Sequence, residues 1–256
     1  MGNAFLGFPM LMRFPSQLIE GRLIKRYKRF LSDIELLTGE TVTAHCANPG
    51  SMLGLAEPGS RVWLSKLDNP KRKLAFSWEL IEVDLGRGPA LVGINTSSPN
   101  GAVAAAIEQG FIPELSGYAS MRREVRYGAK SRIDILLEDD VRPPCYVEIK
   151  NVHLMREAGL AEFPDSVTAR GAKHLGELSD MVAAGARAVM LYFVQRGDAE
   201  GFALAGDIDP AYAAAFEAAM ASGVEALAVA SSVSLAGLGR PTPIPLRMRV
   251  RDPVSP

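Results

Sequence analysis

Between Leu18 and Leu85 apolar and polar residues alternate over short distances, the period of half-buried β-strands. The segments Leu18 to Phe30, Ser32 to Leu37, Thr41 to Cys46, Arg61 to Lys66 and Ser77 to Val83 mix β-branched and aromatic residues with polar ones, and glycine or proline separates several of them. Five short strands in this span predict a small barrel or twisted sheet of the OB type. The loop from Ala44 to Leu53 contains Asn48-Pro49 and Gly50-Ser51, pairs that mark tight turns. Gly86-Arg87-Gly88-Pro89 reads as a domain joint, giving an expected division into residues 1–88 and 89–256.

Beyond the joint the rhythm changes. Leu91 to Ile94 is a short apolar strand, Pro99 to Gln109 a helix and Met121 to Tyr127 a strand. Two more strands, Ser131 to Leu137 and Cys145 to Val152, are joined by Glu138 to Pro144. Thr168 to Ala184 has helical spacing, with Leu175, Leu178 and Val182 on one side and Gly185 as a stop. Ala188 to Val194 is a continuous apolar run, as in a strand buried on both faces. Asp209 caps a helix that starts at Pro210 and runs to Ala221, and Val224 to Val229 is a further strand. The proline-rich basic tail after Gly239 is expected to be a surface extension. The whole reads as an α/β protein, a β-barrel domain followed by a mixed layer domain.

A chain of 256 residues with 48% apolar and 22% charged residues is suited to a folded, water-soluble protein. Its formal net charge of -1 means that binding to a polyanion must rest on local patches. Arg22, Lys25, Arg26, Lys28 and Arg29 form one, Lys71, Arg72 and Lys73 a second, and Arg122, Arg123, Arg126, Lys130 and Arg132 a third. In the first, strand spacing sets Arg26 and Lys28 opposite Tyr27 and Arg29, a basic surface with a ring available for stacking. Cys46 and Cys145 lack metal-ligand spacing and suit a reducing compartment, so a cytoplasmic location is expected. The apolar start, Ala4 to Met12, lacks a preceding basic residue and is broken by proline, so neither a signal peptide nor a membrane partner is expected.

The densest chemistry lies between Arg132 and Asn151. Glu148 and Lys150 are two apart on one strand and share a face, and Asp134 sits on the neighbouring strand. If the strands pair antiparallel with Asp134 near Glu148, both carboxylates reach one hard divalent cation, magnesium or manganese. Such an ion polarises a phosphodiester and activates water, while Lys150 orients the water or neutralises the transition state. The alternative is an ordinary solvated strand face with Asp134 as a surface acid. Arg170, His174 and Glu177 recur at helical spacing beside Lys173, as a stripe facing the site or as a solvent stripe of ion pairs. Arg170 is a candidate phosphate clamp and His174 a phosphate contact or proton carrier. Glu108 and Glu124 are further candidate carboxylates, and Gln195 a candidate contact. No cysteine and histidine cluster supports zinc, and no glycine-rich loop supports a nucleotide cofactor.

Several blocks resemble the sugar fermentation stimulation protein family of bacteria and archaea. They include Ala44-His45-Cys46-Ala47-Asn48-Pro49-Gly50-Ser51-Met52, Asp68 to Lys73, Asn95-Thr96, Ser131-Arg132-Ile133-Asp134, Tyr146 to Val152, Phe163-Pro164-Asp165 and Arg170 to Leu175. The resemblance implies an OB-like amino-terminal domain, a PD-(D/E)xK nuclease-like domain and DNA binding without a strong sequence rule. It implies that Asp134, Glu148 and Lys150 stand at the catalytic acid pair and lysine, with Glu108 as an additional acid and Asn95 and Thr96 in support. Ile133 stands where the PD dipeptide would have proline. Three functions stay open: a magnesium- or manganese-dependent nuclease on DNA or RNA, a non-catalytic DNA-binding regulator of sugar metabolism genes, and a metal-dependent phosphoesterase for small nucleotides. A homodimer is also open.

Overall fold

The computed structural model describes residues 10–128 and 131–247, so the start up to Pro9, Lys130 of the third basic patch and the end of the tail lie outside the described residues. Two compact units divide the chain. One holds the residues up to 117 with 195–198 and 230–242, and the other holds 118–194, 199–229 and the remainder.

In the first unit the elements are β1 (Met10–Arg13), β2 (Ile19–Tyr27), β3 (Leu31–Leu36), β4 (Thr41–His45), β5 (Arg61–Lys66), β6 (Phe76–Asp84), β7 (Pro89–Gly93) and α1 (Ser98–Glu108). Strands run in the order β4-β3-β2-β5-β6-β7. A parallel pairing of Ala44 with Phe76 and His45 with Ser77 joins β4 to β6 and closes five strands into an OB-like barrel. Alternation selects its filling. In β3, Ser32, Ile34 and Leu36 are buried while their neighbours are not, and Ile34 meets Leu23, Val42, Leu64, Trp78 and Ile81 in the core. The Trp78 indole N–H, enclosed there, donates to the Leu80 carbonyl at 2.9 Å.

The expected strand to Phe30 stops at Tyr27. Lys28 (φ 48°) and Arg29 (φ 64°) adopt left-handed backbone and turn the chain into β3. Arg26 anchors this turn: its Nε donates to the Arg29 carbonyl at 3.1 Å, and its terminal nitrogens donate to Asn48 O and Gly50 O at 2.9 Å and Ser51 O at 3.3 Å. One guanidinium thus ties the hairpin tip to the Asn-Pro-Gly-Ser loop.

The second unit carries β8 (Ser120–Tyr127), β9 (Ser131–Glu138), β10 (Cys145–Val152), β11 (Leu154–Glu157), β12 (Leu160–Phe163), α2 (Ala169–Ala183), β13 (Arg187–Val194), β14 (Gly201–Leu204), α3 (Pro210–Ala221) and the first half of β15 (Glu225–Ser234). Its main sheet has the order β8-β9-β10-β13-β15, and β11, β12 and β14 form a smaller one. The pairing is antiparallel from β8 to β10 and parallel between β10 and β13. Layers cover both faces of β13, which explains its unbroken apolar run: every residue from Ala188 to Val194 is buried. Thr168 and Asp209 cap α2 and α3 by accepting from the Gly171 and Tyr212 amides at 3.1 and 3.0 Å. Helix α2 packs on β10, β13 and α3.

After Val229, β15 belongs to the first unit, where β16 (Gly237–Pro243) follows it and β1 pairs antiparallel with β16. The stretch after Gly239 is therefore strand as far as Pro243 and not a surface extension. Two glycines allow the close approach, since a Cβ at Gly237 would collide with the Met12 carbonyl and one at Gly239 with Ser232 Oγ. Among the described residues no helix is long and apolar enough to cross a membrane.

Candidate functional site

Strand alternation in β10 turns Val147 and Ile149 to one layer and Glu148 and Lys150 to the other, where α2 lies. Glu148 is only 3% exposed. Its Oε1 receives Lys150 Nζ at 2.7 Å and also His174 Nδ1, while its Oε2 is buried without a hydrogen bond. Arg170 Nε donates to His174 Nε2 at 3.3 Å, and His174 Nδ1 meets Glu148 Oε1 with Lys150 Nζ 3.4 Å from the same nitrogen. His174 thereby bridges a guanidinium and a buried carboxylate.

Asp134 enters through strand register. The β9–β10 ladder pairs Leu137 with Cys145, Leu136 with Tyr146 and Ile135 with Val147, so one further step brings Asp134 opposite Glu148. At that step the Asp134 side chain takes over from the backbone, and its Oδ2 accepts the Ile149 amide at 2.7 Å. On the other edge of β9, Ile135 pairs with Arg123 and Ile133 with Val125, which leaves Glu124 across from Asp134. Glu124 has left-handed backbone, φ 54°, in mid-strand. Three acids, Glu124, Asp134 and Glu148, therefore occupy one row across three strands. Glu124 and Asp134 open onto a cavity of about 450 Å³ whose other walls are Ser131, Arg132, Arg170, Lys173 and His174.

The electrostatics are those of a buried, cation-supported acid. Burial pushes the Glu148 carboxyl up, but the His174 hydrogen bond and the Lys150 charge together outweigh it and hold the group below the usual glutamate range. Glu177 behaves alike: burial raises it, while hydrogen bonds from Ser131 Oγ at 2.8 Å and the Lys173 ammonium at 3.0 Å bring it below its ordinary value. Tyr127 goes the other way, its phenol driven well up by burial and then by the charges of Glu148, Glu177 and Asp134. Tyr127 did not stand out in the sequence, and Ser131 did so only as the first residue of the block ending in Asp134. They pair with each other across the β8–β9 hairpin, and no local spacing marks them as neighbours of residues 148 and 177.

The other candidates lie in the first unit. Glu108 ends α1 and is exposed. Asn95 Nδ2 donates to the buried Glu79 at 2.9 Å, Thr96 donates through both N–H and hydroxyl to the Ala47 carbonyl at 2.9 Å, and Gln195 donates to the Asn95 carbonyl at 3.1 Å. Among the basic residues, Arg22 donates to the Gly59 carbonyl at 3.0 Å, Lys25 approaches Asp33 at 3.5 Å and Arg72 donates to Ser77 Oγ at 2.7 Å. Lys28, Arg29, Lys71 and Lys73 are exposed.

Among the described residues no group of three or more histidine, cysteine or carboxylate side chains is arranged to hold a metal ion by itself. Asp134 and Glu148 lie at opposing register positions beside a polar cavity, and Glu148 Oε2 is buried without a hydrogen bond, a donor set of the kind that suits a magnesium-like ion, which takes one or two carboxylates and fills its shell with water and phosphate oxygens. The residues that would hold it are Asp134 and Glu148.

A closed OB-like barrel joined to a mixed α/β unit with flanking helices, carrying an acid, acid and lysine set on adjacent strands, defines a protein with a nuclease-like fold. The family description "Sugar fermentation stimulation protein RE domain" matches residues 97–237, and "SfsA N-terminal OB domain" matches residues 24–94. A sugar fermentation stimulation protein homolog of Azorhizobium caulinodans is 57% identical over 92% of this chain and 99% of its own length. Homologs from Rhodospirillum centenum and a Ruegeria species are each 58% identical over 89% of this chain, covering 96% and 97% of their own. The structure of Pyrococcus furiosus SfsA in complex with Ca2+ superposes with a TM-score of 0.82 at 26% identity, over 93% of this chain and 99% of that one. The chain belongs to the sugar fermentation stimulation protein family.

Proposed function

We propose that this protein binds DNA with little sequence selectivity and hydrolyses phosphodiesters with magnesium or manganese at Asp134, Glu148 and Lys150. The observation that carries the reading is the row of acids beside a cation-walled cavity. A bound divalent ion would polarise the phosphate and lower the pKa of a water. The chain's own side chains do the rest. Lys150, already against Glu148, offers a point charge to the attacking water or the developing phosphorane. Arg170 uses Nε on His174, which leaves its terminal nitrogens for a phosphate oxygen pair. Arg132 and Lys173 add positive walls that hold a polyanion. The calcium of the Pyrococcus furiosus protein supports a hard divalent ion at this fold. Both cysteines are free and buried, which suits a cytoplasmic setting.

The test is a cleavage assay on single- and double-stranded DNA and on RNA with magnesium and manganese, run beside Glu148→Gln. Turnover by the unaltered protein that falls at least about a hundredfold in the variant, with nucleic-acid affinity retained, is expected. A second reading, binding without cleavage, is favoured by one detail: Lys150 and His174 already occupy Oε1 of Glu148. Intact substrate under every metal and strandedness, with tight binding, would select it.

A further inference from the structure

The barrel presents an aromatic pair that its core does not use. Phe30 is 44% exposed, although it directly precedes β3, whose alternate residues fill the core. Its ring lies nearly parallel to that of His45 on β4, 22° between planes and 6.4 Å between centroids. Tyr27, the ring expected for stacking, is committed elsewhere: its hydroxyl donates to Asp33 at 3.0 Å and Lys25 Nζ sits 5.2 Å from its ring centroid. The exposed ring is Phe30.

Its setting is held firmly. The Phe30 amide donates to the Lys28 carbonyl at 2.7 Å, the Phe30 carbonyl accepts from the Cys46 amide at 2.8 Å, and Arg26 grips the carbonyl of Arg29. Lys28 and Arg29 accept left-handed backbone at this tip, a strained geometry for long side chains, and both are exposed cations immediately preceding Phe30 in the chain. A flat apolar face flanked by point charges matches a base with its phosphates, because stacking suits any base and the cations track the backbone. A paired duplex hides the faces of its bases and cannot supply the first contact.

We infer that Phe30, backed by His45 and flanked by Lys28 and Arg29, is a base-stacking platform for single-stranded DNA. This rests on the nucleic-acid reading above and adds to it the face and the strand state. The experiment is fluorescence anisotropy of the full chain with a labelled oligothymidylate of about 15 nucleotides, and with a duplex of equal length, across a salt series. Phe30→Ala should weaken oligothymidylate binding by roughly tenfold while leaving the slope of log K against log salt unaltered. Lys28→Gln with Arg29→Gln should flatten that slope by about 1.4, roughly 0.7 for each single-strand phosphate that is no longer neutralised. Should Phe30→Ala disturb folding, Phe30→Tyr and Phe30→Leu separate the causes, since tyrosine keeps the stacking face and should keep affinity while leucine keeps only apolar bulk and should lose it. Equal affinity of the leucine, tyrosine and unaltered proteins, or an equal loss on the duplex, would overturn the platform. Failure of the unaltered protein to bind either probe would instead overturn the nucleic-acid reading itself.

Discussion

Glu148 shows how one side chain couples stability to pH. Burial alone would raise the pKa of its carboxyl, yet the His174 hydrogen bond and the Lys150 ammonium hold it below the usual glutamate range. A carboxylate whose folded pKa lies below its unfolded value adds stability above the unfolded value, about 4.3 for glutamate, and loses it as pH falls through the folded one. Glu148→Gln should therefore be less stable than the unaltered protein at neutral pH, and the gap should close below about pH 4. Urea midpoints of both proteins across that range measure it, and a gap independent of pH would mean that the carboxylate charge adds nothing. The same arrangement holds the His174 ring between Arg170 on one side and Glu148 on the other.

Helix α2 is placed by its own first turn. Gly171 sits where a Cβ would come 2.9 Å from Tyr212 Cε2 and 2.9 Å from Thr168 Cγ2, so α3 and the capping threonine leave no room for a methyl group. Helix propensity would favour alanine there by about 1 kcal/mol. Overpacking of roughly 1–3 kcal/mol opposes it, and the ring and cap cannot both retreat. Gly171→Ala should therefore lower the urea midpoint, and because Arg170 and His174 ride on the same turn, it should also weaken phosphate-dependent binding in the cavity. A raised midpoint would show that propensity outweighs packing at this position. The β8–β9–β10 ladder is a second case, since the row of acids follows from the antiparallel register of three strands.

For the whole molecule, a net charge of -1 offers no global attraction for a polyanion. Affinity must then come from a small set of local cations, each visible as salt dependence. Replacing Arg132 and Lys173, two cations of the cavity wall, by glutamine should reduce the slope of log K against log salt for duplex DNA by roughly 1.8, about 0.9 per phosphate. An unchanged slope would remove the cavity from the path of the phosphate backbone.

Much of this was legible along the chain. The helix start at 168, the aspartate cap at 209, the glycine stop at 185, the apolar run to Val194 and the alternation of β2 to β6 all reappear within a residue or two of their expected places, save the tip at Tyr27. These are local properties: a repeat of 2.0 or 3.6 residues and a capping side chain act within one turn or one strand. The shared face of Glu148 and Lys150 follows from the same periodicity. What periodicity cannot carry is the distance between segments far apart in the chain. That Lys28 and Arg29 turn through left-handed backbone depends on Arg26 reaching carbonyls more than 20 residues away. Closure of the barrel by β4 and β6, the alignment of Glu124 with Asp134 and Glu148, and the seating of His174 on Glu148 depend likewise on register and packing. Those were decided by the tertiary structure alone, because a non-local contact is chosen by the combined burial of many side chains and no single residue announces it.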